Sequence, residues 1–404
     1  MPDTAIHFAS DLPPIADVVV IGGGIIGAAT AFYLSRAGLR CVVLEKRPRL
    51  CSLTTPASTG AFRAQFDNLE ETRLVQESIA AFESFADHVG VGGLDIGLRQ
   101  QGYLWLTTTT EGAARHRSVV ELQHGWGLSD VELLSGDEAR RRFPYLAPEV
   151  VSARYRAGDG WLDVKRVTNG FAAGAGLKAG AAFCVNTAAT GFDIQGGAVK
   201  GVHTSRGTIA CGQAVIAAGP FSGVVAGMAG IRLDLTLRIR QKLIMPIVPE
   251  APPDAPMTID EDTGAHWRPG LQGAYLLFTQ HDTPASPPLD DVPTNAAFYF
   301  NLLNPESENS VARIAPFWRT VWERNDDLWF LMAGQYTYTP DHRPLLGPTE
   351  VTGLAVNTGY SGHGIMGGGG GSRLAVDAML GKIAPEANPF RPERAMARRA
   401  FDVL

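Results

Sequence analysis

Cysteine is scarce. The 404 residues hold four (Cys41, Cys51, Cys184, Cys211), none in a C-x-x-C pair, so no disulfide framework is expected and a reducing compartment is. Cys41 and Cys211 lie in apolar strand-like text, where a free thiol behaves as a small hydrophobe. There is no H-x-x-H or other metal-ligand spacing, no G-x-S-x-G and no P-loop, which excludes hydrolytic and phosphoryl-transfer readings and leaves no metal site. Basic charge is also short: 35 Lys and Arg stand against 41 Asp and Glu, a net charge of −6, with no electrostatic footprint for nucleic acid. Residues 1–10 contain no Lys or Arg, so no secretory signal is evident, and a cytoplasmic address is expected. The stretch 15–34 is nearly uncharged and long enough for a bilayer, but its triple glycine explains that apolarity better than a membrane span does. Charged residues make up 19% and hydrophobic residues 45%, the composition of a globular protein whose length suits two domains.

What the chain does have begins at Asp17: DVVVIGGGIIGAATAFYLSRAGLRCVVLEK. Val18–Ile21 is a short apolar run of the kind buried on both faces of a parallel sheet. Gly22, Gly24 and Gly27 follow as G-x-G-x-x-G, then apolar residues at helical spacing, then a second apolar run ending at Glu45. The first glycine permits the tight turn, the second lets the backbone approach a pyrophosphate, and the third lets helix and strand pack closely. Phosphates would meet the free N–H groups of the helix N-terminus. Glu45 stands where an acid accepts the hydroxyls of an adenosine ribose, which favours FAD or NAD over NADP.

Further along, residues 70–87 read as a helix, Tyr103–Thr107 as a strand, and Ser135 as the cap of a short helix. Residues 163–182 read as another helix leading into a strand over 182–186. Residues 182–220 return to nucleotide-domain character and close on a buried strand ending at Ala217-Ala218-Gly219. Residues 238–247, 274–279 and 297–301 read as strands of a separate antiparallel sheet, with an exposed Pro- and Asp-rich loop over 282–293. The last block reads strand, turn, strand (353–357), glycine loop and helix (372–380). The expected architecture is α/β: a discontinuous Rossmann-type dinucleotide domain (1–95, 150–225 and 335–404) with an inserted α+β substrate domain on an antiparallel sheet (96–149 and 226–334).

Three blocks, GGGIIG…LEK, the segment Thr204–Pro220 ending VIAAGP, and YTPDHRPLLGP…GYSGHGIM over 338–366, together resemble the D-amino-acid-oxidase superfamily of FAD enzymes. The nearest branch is that of the sarcosine oxidase β subunit and the dye-linked L-proline dehydrogenase β subunit. That resemblance implies FAD along the N-terminal unit, with its ring between the two domains beside Gly359–Gly364. A glycine-dense loop before a helix supplies close N–H groups that stabilise negative charge on a reduced ring. The cofactor contacts so implied are Gly22, Gly24, Ile25, Ile26, Gly27, Glu45 and Lys46; Ser58, Thr59, Gly60 and Arg63; Asn186, Ala218 and Gly219; and Gly359, Ser361, Gly362, His363, Gly364 and Ile365.

Departures from relatives narrow the reading. Tyr336 stands where D-amino-acid and glycine oxidases carry a carboxylate-binding arginine, which weakens that assignment and fits the sarcosine and proline branch. Gly334, Met366 and Ala57 stand where other members carry a flavin-tethering cysteine, a carboxylate-binding lysine and a tethering histidine, so non-covalent FAD is expected. Arg63, His363, Tyr336 and Arg268 are the candidate catalytic residues. Arg63 would sit near the flavin or a substrate carboxylate, or face solvent. His363 would pack by the flavin, or serve as a structural histidine of its loop. Tyr336 and Tyr338 share one strand face, toward the site or toward the core. Arg268 and Lys242 are the remaining cations for a carboxylate. Asp341 reads as a turn-former, and Glu70 and Glu71 as a solvated helix start. The expected activity is hydride transfer from the carbon next to nitrogen of a sarcosine- or proline-like amino acid to flavin N5, giving an imine. Alternatives are a hydroxy-acid or D-amino-acid oxidoreductase, and a non-catalytic FAD-holding assembly factor or subunit. The electron acceptor, oxygen or another carrier, and a partner subunit stay open.

Overall fold

The computed structural model describes residues 6–279, 283–325 and 328–397. Two large sheets dominate it. The first has six strands in the order Leu345–Pro348, Leu354–Thr358, Gln213–Ile216, Val18–Ile21, Cys41–Leu44, Ala182–Cys184. All its pairings are parallel except the antiparallel edge strand Leu345–Pro348. Val18–Ile21 lies inside it with every residue buried, which is why its text is continuously β-branched rather than alternating. Helices Ile25–Arg36, Val164–Gly176 and Gly364–Met379 pack over one face. A three-stranded meander, Ala189–Gln195, Ala198–Thr204 and Gly207–Ala210, packs on the other.

The second sheet has eight strands, in the order Phe330–Tyr338, Thr236–Met245, Gly273–Leu277, His266–Gly270, Met257–Asp260, Tyr103–Thr107, Ser152–Arg156, Glu132–Ser135. Its pairings are antiparallel apart from Met257–Asp260 with Tyr103–Thr107. Ser152–Arg156 belongs here, although the expected boundary at 150 puts it with the nucleotide unit. The N-terminal text over 15–34 forms strand, turn and helix. Among the described residues, no helix is long and apolar enough to cross a membrane, and the four cysteines are buried free thiols.

One strand expected from the sequence is a helix. Ala297–Leu303 buries Phe298, Tyr299, Leu302 and Leu303, a helical spacing that a seven-residue apolar run does not separate from a strand by pattern alone. The helix expected over 70–87 breaks at Ser84 into Leu69–Glu83 and Phe85–Val89.

Candidate functional site: two joined cavities

A cavity of about 250 Å3 runs along the carboxyl ends of the parallel strands, the place where open α/β sheets bind nucleotides. Its walls follow Gly22–Ile26, Glu45 to Arg47, Thr187 to Ala189, Ala217 to Phe221, and Gly359 to Ile365. Two helices begin at it, Ile25–Arg36 and Gly364–Met379, and neither N-cap residue supplies a side-chain cap. Ile25 N donates to Thr55 Oγ1 at 3.3 Å; the other first-turn N–H groups make two anion-favouring points on one cavity wall.

The glycine loop is built for close approach. Gly22 sits at φ +120°, and a Cβ there would lie 2.3 Å from the Ala217 carbonyl oxygen. At Gly24 a Cβ would meet only Thr55 Oγ1, at 3.2 Å, so the bare backbone faces open cavity. Glu45 lies at the other end of the loop. Its Oε2 accepts from Gly23 N at 2.9 Å and its Oε1 from Arg47 N at 2.8 Å, which aims the carboxylate while leaving lone pairs for a ribose. Burial raises its pKa from the usual range, against the lowering effect of those two N–H groups. A Gly-lined cradle, two helix N-termini and an oriented acid are the donor set that FAD needs, and the residues fit it.

A second cavity, of about 80 Å3, opens beside the first, and both are lined by Ser58, Tyr336 and Gly362. Around it stand Arg63, Tyr103, Arg240, His266, Tyr338, His342 and His363, with Met257, Ile259, Leu277, Phe278 and Met366 as apolar wall. Among the described residues, its lining contains no Asp or Glu. Ser361 and His342 both have left-handed φ, 49° and 59°, a cost that tends to be kept where a loop must present a site. His266 is fixed in its tautomer: Nδ1 lies 2.9 Å from the Gly264 carbonyl and therefore carries the proton, leaving Nε2 as an acceptor. Burial, then Arg63 nearby, pulls its pKa down to about 4, so the ring stays neutral. Tyr103 and Tyr336 are both pushed up by burial, Tyr336 to about 12, and hold their phenolic protons as donors.

Most of the expected contacts lie on these walls. Gly22, Gly24, Ile25, Ile26, Glu45, Lys46, Ala218, Gly219, Gly359, Gly364 and Ile365 line the large cavity. Thr59, Arg63, Ser361 and His363 line the small one, and Ser58, Tyr336 and Gly362 line both. Gly27 lines neither; a Cβ there would come within 1.8 Å of the Gly22 carbonyl, so it serves packing. Gly60 faces the Leu162 carbonyl rather than a cavity. Asn186 also lines neither: its N–H bonds Arg47 O, and the wall begins one residue later at Thr187.

Arg268 requires a correction. Its Nε donates to Thr59 O at 2.9 Å, Nη2 donates to the same oxygen, and Nη1 donates to Pro269 O at 2.7 Å. It lines neither cavity and holds the Ser58–Gly60 segment from behind, because its strand puts it on the far side of that segment. Lys242 does likewise, donating to Pro56 O at 3.0 Å and Ser58 O at 2.7 Å. Glu71 is a second correction. It is buried rather than solvated: Asn68 caps that helix and the second of its two first-turn carboxylates turns inward. Asn68 Nδ2 donates to Glu71 Oε2 at 2.8 Å, and His363 Nδ1 lies 3.3 Å from Glu71 Oε1. His363 Nε2 in turn lies 3.5 Å from Arg63 Nη2, giving a carboxylate–imidazole–guanidinium row at the cavity edge. Glu70 lies 3.5 Å from Arg343. Asp341 is the turn-former expected, bonding Thr339 Oγ1, Arg343 N and both Arg394 donors. Tyr103, Arg240, His266 and His342 escape a reading by motif. One signal was available for Arg240: Arg238, Arg240 and Lys242 alternate, so three cations share one strand face.

Comparison with known proteins follows this geometry. A family model described as FAD dependent oxidoreductase (DAO) matches residues 17–378. Mitochondrial sarcosine dehydrogenase of Homo sapiens is 27% identical over 90% of this chain, which spans 40% of that relative's length. Glycine oxidase of Geobacillus kaustophilus is 30% identical, over 87% of this chain and 89% of its own. The crystal structure of L-proline dehydrogenase from P. horikoshii aligns with a TM-score of 0.82 at 26% identity, covering 96% of this chain and 100% of that one.

Proposed function

The chain belongs to the DAO family of FAD-dependent oxidoreductases, and within it we propose oxidation of a secondary or N-alkyl amino acid of the sarcosine or proline kind. One observation carries the reading: a small cavity with cationic and neutral polar groups opens onto the cofactor cavity at Ser58, Tyr336 and Gly362. FAD, when bound, supplies a two-electron acceptor for the hydride leaving the carbon next to nitrogen, so that the amine becomes an imine.

The chain's own residues bind and orient. The Gly22–Ile26 backbone and the start of helix Ile25–Arg36 would hold the pyrophosphate, and Glu45 would hold the ribose. Among the described residues, no Cys or His lines the large cavity, which supports non-covalent attachment. Arg63 offers its guanidinium to the substrate carboxylate. His266 Nε2 accepts from the amine N–H, and the Tyr103 and Tyr336 hydroxyls donate. Among the described residues no carboxylate lines the wall; the substrate enters as the free amine, its proton already left to solvent, and no strong base is required. Met257, Ile259, Leu277 and Phe278 exclude water while the hydride moves. The imine is then hydrolysed by water or, in a ring, retained.

Anaerobic titration of the purified protein with N-methyl amino acids, cyclic imino acids, primary L- and D-amino acids and hydroxy acids tests this. Bleaching of the visible flavin band by the secondary amines is the expected result. Bleaching by hydroxy acids alone would replace the reading. A yellow protein bleached by dithionite and by no substrate would make it a structural holder of FAD.

A further inference from the structure

We propose that residues 283–295 are a latch over the mouth of the cofactor cavity, and that FAD enters and leaves when the tip of this segment, Asp290, lets go of Lys46. Such a latch serves the cofactor whichever substrate the chain oxidises.

The mouth is marked by lining residues that also meet solvent. Val224 is 47% exposed and Met228 38%, and both follow the wall over 217–221. Lys46 bars the way beside them. In the parallel sheet, strand Val18–Ile21 lies between Gln213–Ile216 and Cys41–Leu44. Residues 45–47 and 217–221 therefore leave the sheet on opposite sides of the glycine loop. Lys46 spans that gap: it starts on one wall, and its ammonium lies 3.2 Å from the centre of the Phe221 ring on the other. A dinucleotide laid along the carboxyl ends of these strands has to pass this bar.

What holds the bar comes from the other sheet. Apart from one bridge between Ala285 and Arg238, residues 283–295 form no helix or strand. Pro284, Pro287, Pro288 and Pro293 stiffen them. Their root is fastened to the substrate sheet. Arg238 donates to Thr283 O, Ser286 N to Leu237 O at 2.9 Å, and Asn295 N to Gln241 Oε1 at 2.6 Å. Gln335, 1% exposed, turns its amide wholly to this segment. Its Oε1 accepts from Leu289 N at 2.8 Å, and its Nε2 donates to Ser286 Oγ at 2.8 Å and to Pro287 O at 2.7 Å. The tip crosses to the nucleotide side, where the Asp290 carboxylate accepts from Lys46 Nζ and the Asp290 carbonyl from Arg47 Nη2. The two ends differ in strength. A buried amide pins the root, whereas the Asp290 side chain is 72% exposed and its ion pair is of the weak, salt-screened kind. The tip is the end that opens, and opening it frees Lys46 to swing off Phe221.

Asp290→Asn keeps the size of the side chain and removes its charge at an exposed position. FAD association with the apoprotein is followed by stopped-flow fluorescence quenching, and dissociation by trapping released FAD with a second apoflavoprotein in excess. Both rate constants are expected to rise about two- to fivefold, the scale of one exposed ion pair, while their ratio stays within about twofold of native. Added salt is expected to bring the native and Asp290→Asn rates together, because it screens the pair that the variant lacks. Asp291→Asn removes the same charge one residue on and controls for the general pull of the site on an anionic cofactor; its rates are expected to stay close to native. Faster release at an unchanged rate of entry would make Asp290 the support of a cofactor contact and overturn the latch. Native rates in Asp290→Asn, or equal effects in Asp291→Asn, would overturn it too. Asp290→Ser, which removes the same charge, takes the place of Asp290→Asn if that variant does not fold.

Discussion

Gly24→Ala separates folding from cofactor binding. Gly24 has φ −78° and ψ −175°, a conformation any L residue adopts. Its added methyl would meet Thr55 Oγ1 at 3.2 Å and nothing else within 4 Å, so a shift of a few tenths of an ångström absorbs it. Gly22 and Gly27 differ: a Cβ there would lie 2.3 and 1.8 Å from backbone oxygens that cannot retreat. The methyl of Gly24→Ala therefore occupies the space where N–H groups approach the pyrophosphate. Losing one or two charge-assisted hydrogen bonds costs about 2–3 kcal/mol, or about 30- to 150-fold in affinity. The stabilisation that FAD confers falls by the same amount when the ligand is in excess. Urea unfolding of the apoprotein and FAD titration by fluorescence quenching measure the two terms. The expected outcome is apoprotein stability within about 1 kcal/mol of native and weakened FAD binding. Native affinity in Gly24→Ala would refute the placement of the pyrophosphate at this loop. Apoprotein as unstable as Gly22→Ala would refute the steric argument.

Other residues separate in the same way. Glu71→Gln keeps the volume but weakens the acceptor at His363 Nδ1; flavin reduction is expected to slow about tenfold, the scale of one charge-assisted hydrogen bond. An unchanged rate of flavin reduction would make Glu71 a packing residue. Arg268→Met strips the Thr59 and Pro269 carbonyls of their donor and is expected to cost about 2–4 kcal/mol in urea unfolding; a cost under about 1 kcal/mol would mean that the segment needs no such clamp. His266 gives a pH signature. Its folded pKa of about 4 lies below 6.5, so the unfolded chain binds the proton first as pH falls. The group's contribution is intact above pH 6.5 and is lost toward pH 4, a total of about 3 kcal/mol at 1.36 kcal/mol per pH unit. Unfolding measured across that range should show a steeper loss in the native protein than in His266→Gln, and parallel curves would contradict the buried neutral ring.

The cofactor cavity was legible because its chemistry is local. Strand, turn, helix N-terminus and Glu45 fall within thirty consecutive residues, and each has a pattern that follows from its geometry. The loop Gly359–His363 was legible for the same reason, although the helix after it starts at Gly364 rather than at 372 and takes in the glycine run 367–371. The substrate side was not. Tyr103, Arg240 and His266 come from three strands of the eight-stranded sheet, and nothing in their flanking text tells which face of a strand meets a cavity. Arg268 was expected to bind a carboxylate from the substrate sheet, but whether a guanidinium points at a ligand or at a backbone carbonyl depends on where a distant loop passes. Glu71 shows the opposite error: the start of a helix is usually wet, and here Asn68 turns it inward against His363. Asn186 missed by one residue because its left-handed turn, φ 51°, displaces the wall to Thr187.

The segment between the two cavities explains why so many cations gather there. Residues 56–66 cross from one sheet to the other, and their carbonyls and amides are held from the substrate side. Lys242 takes Pro56 O and Ser58 O, Arg268 takes Thr59 O, Gln123 takes Phe66 O, and Asp159 accepts from Ala64 N and Gln65 Nε2. Neutral donors would satisfy these groups at lower desolvation cost. The cost is visible: burial, then each other's charge or that of neighbours, pulls Lys242 down to about 8, and burial pulls Arg268 down to about 10. What cations add is a field. With Arg63 and Arg240 on the cavity wall and Lys242 and Arg268 behind it, positive potential converges where the two cavities meet. In the proposed oxidation a hydride would carry negative charge across that junction, and the substrate's carboxylate would be negative too. Fixed donors that are already oriented stabilise both without reorganising. Two of the cations, Lys242 and Arg268, thus hold the backbone in place and add to the field of the two on the wall.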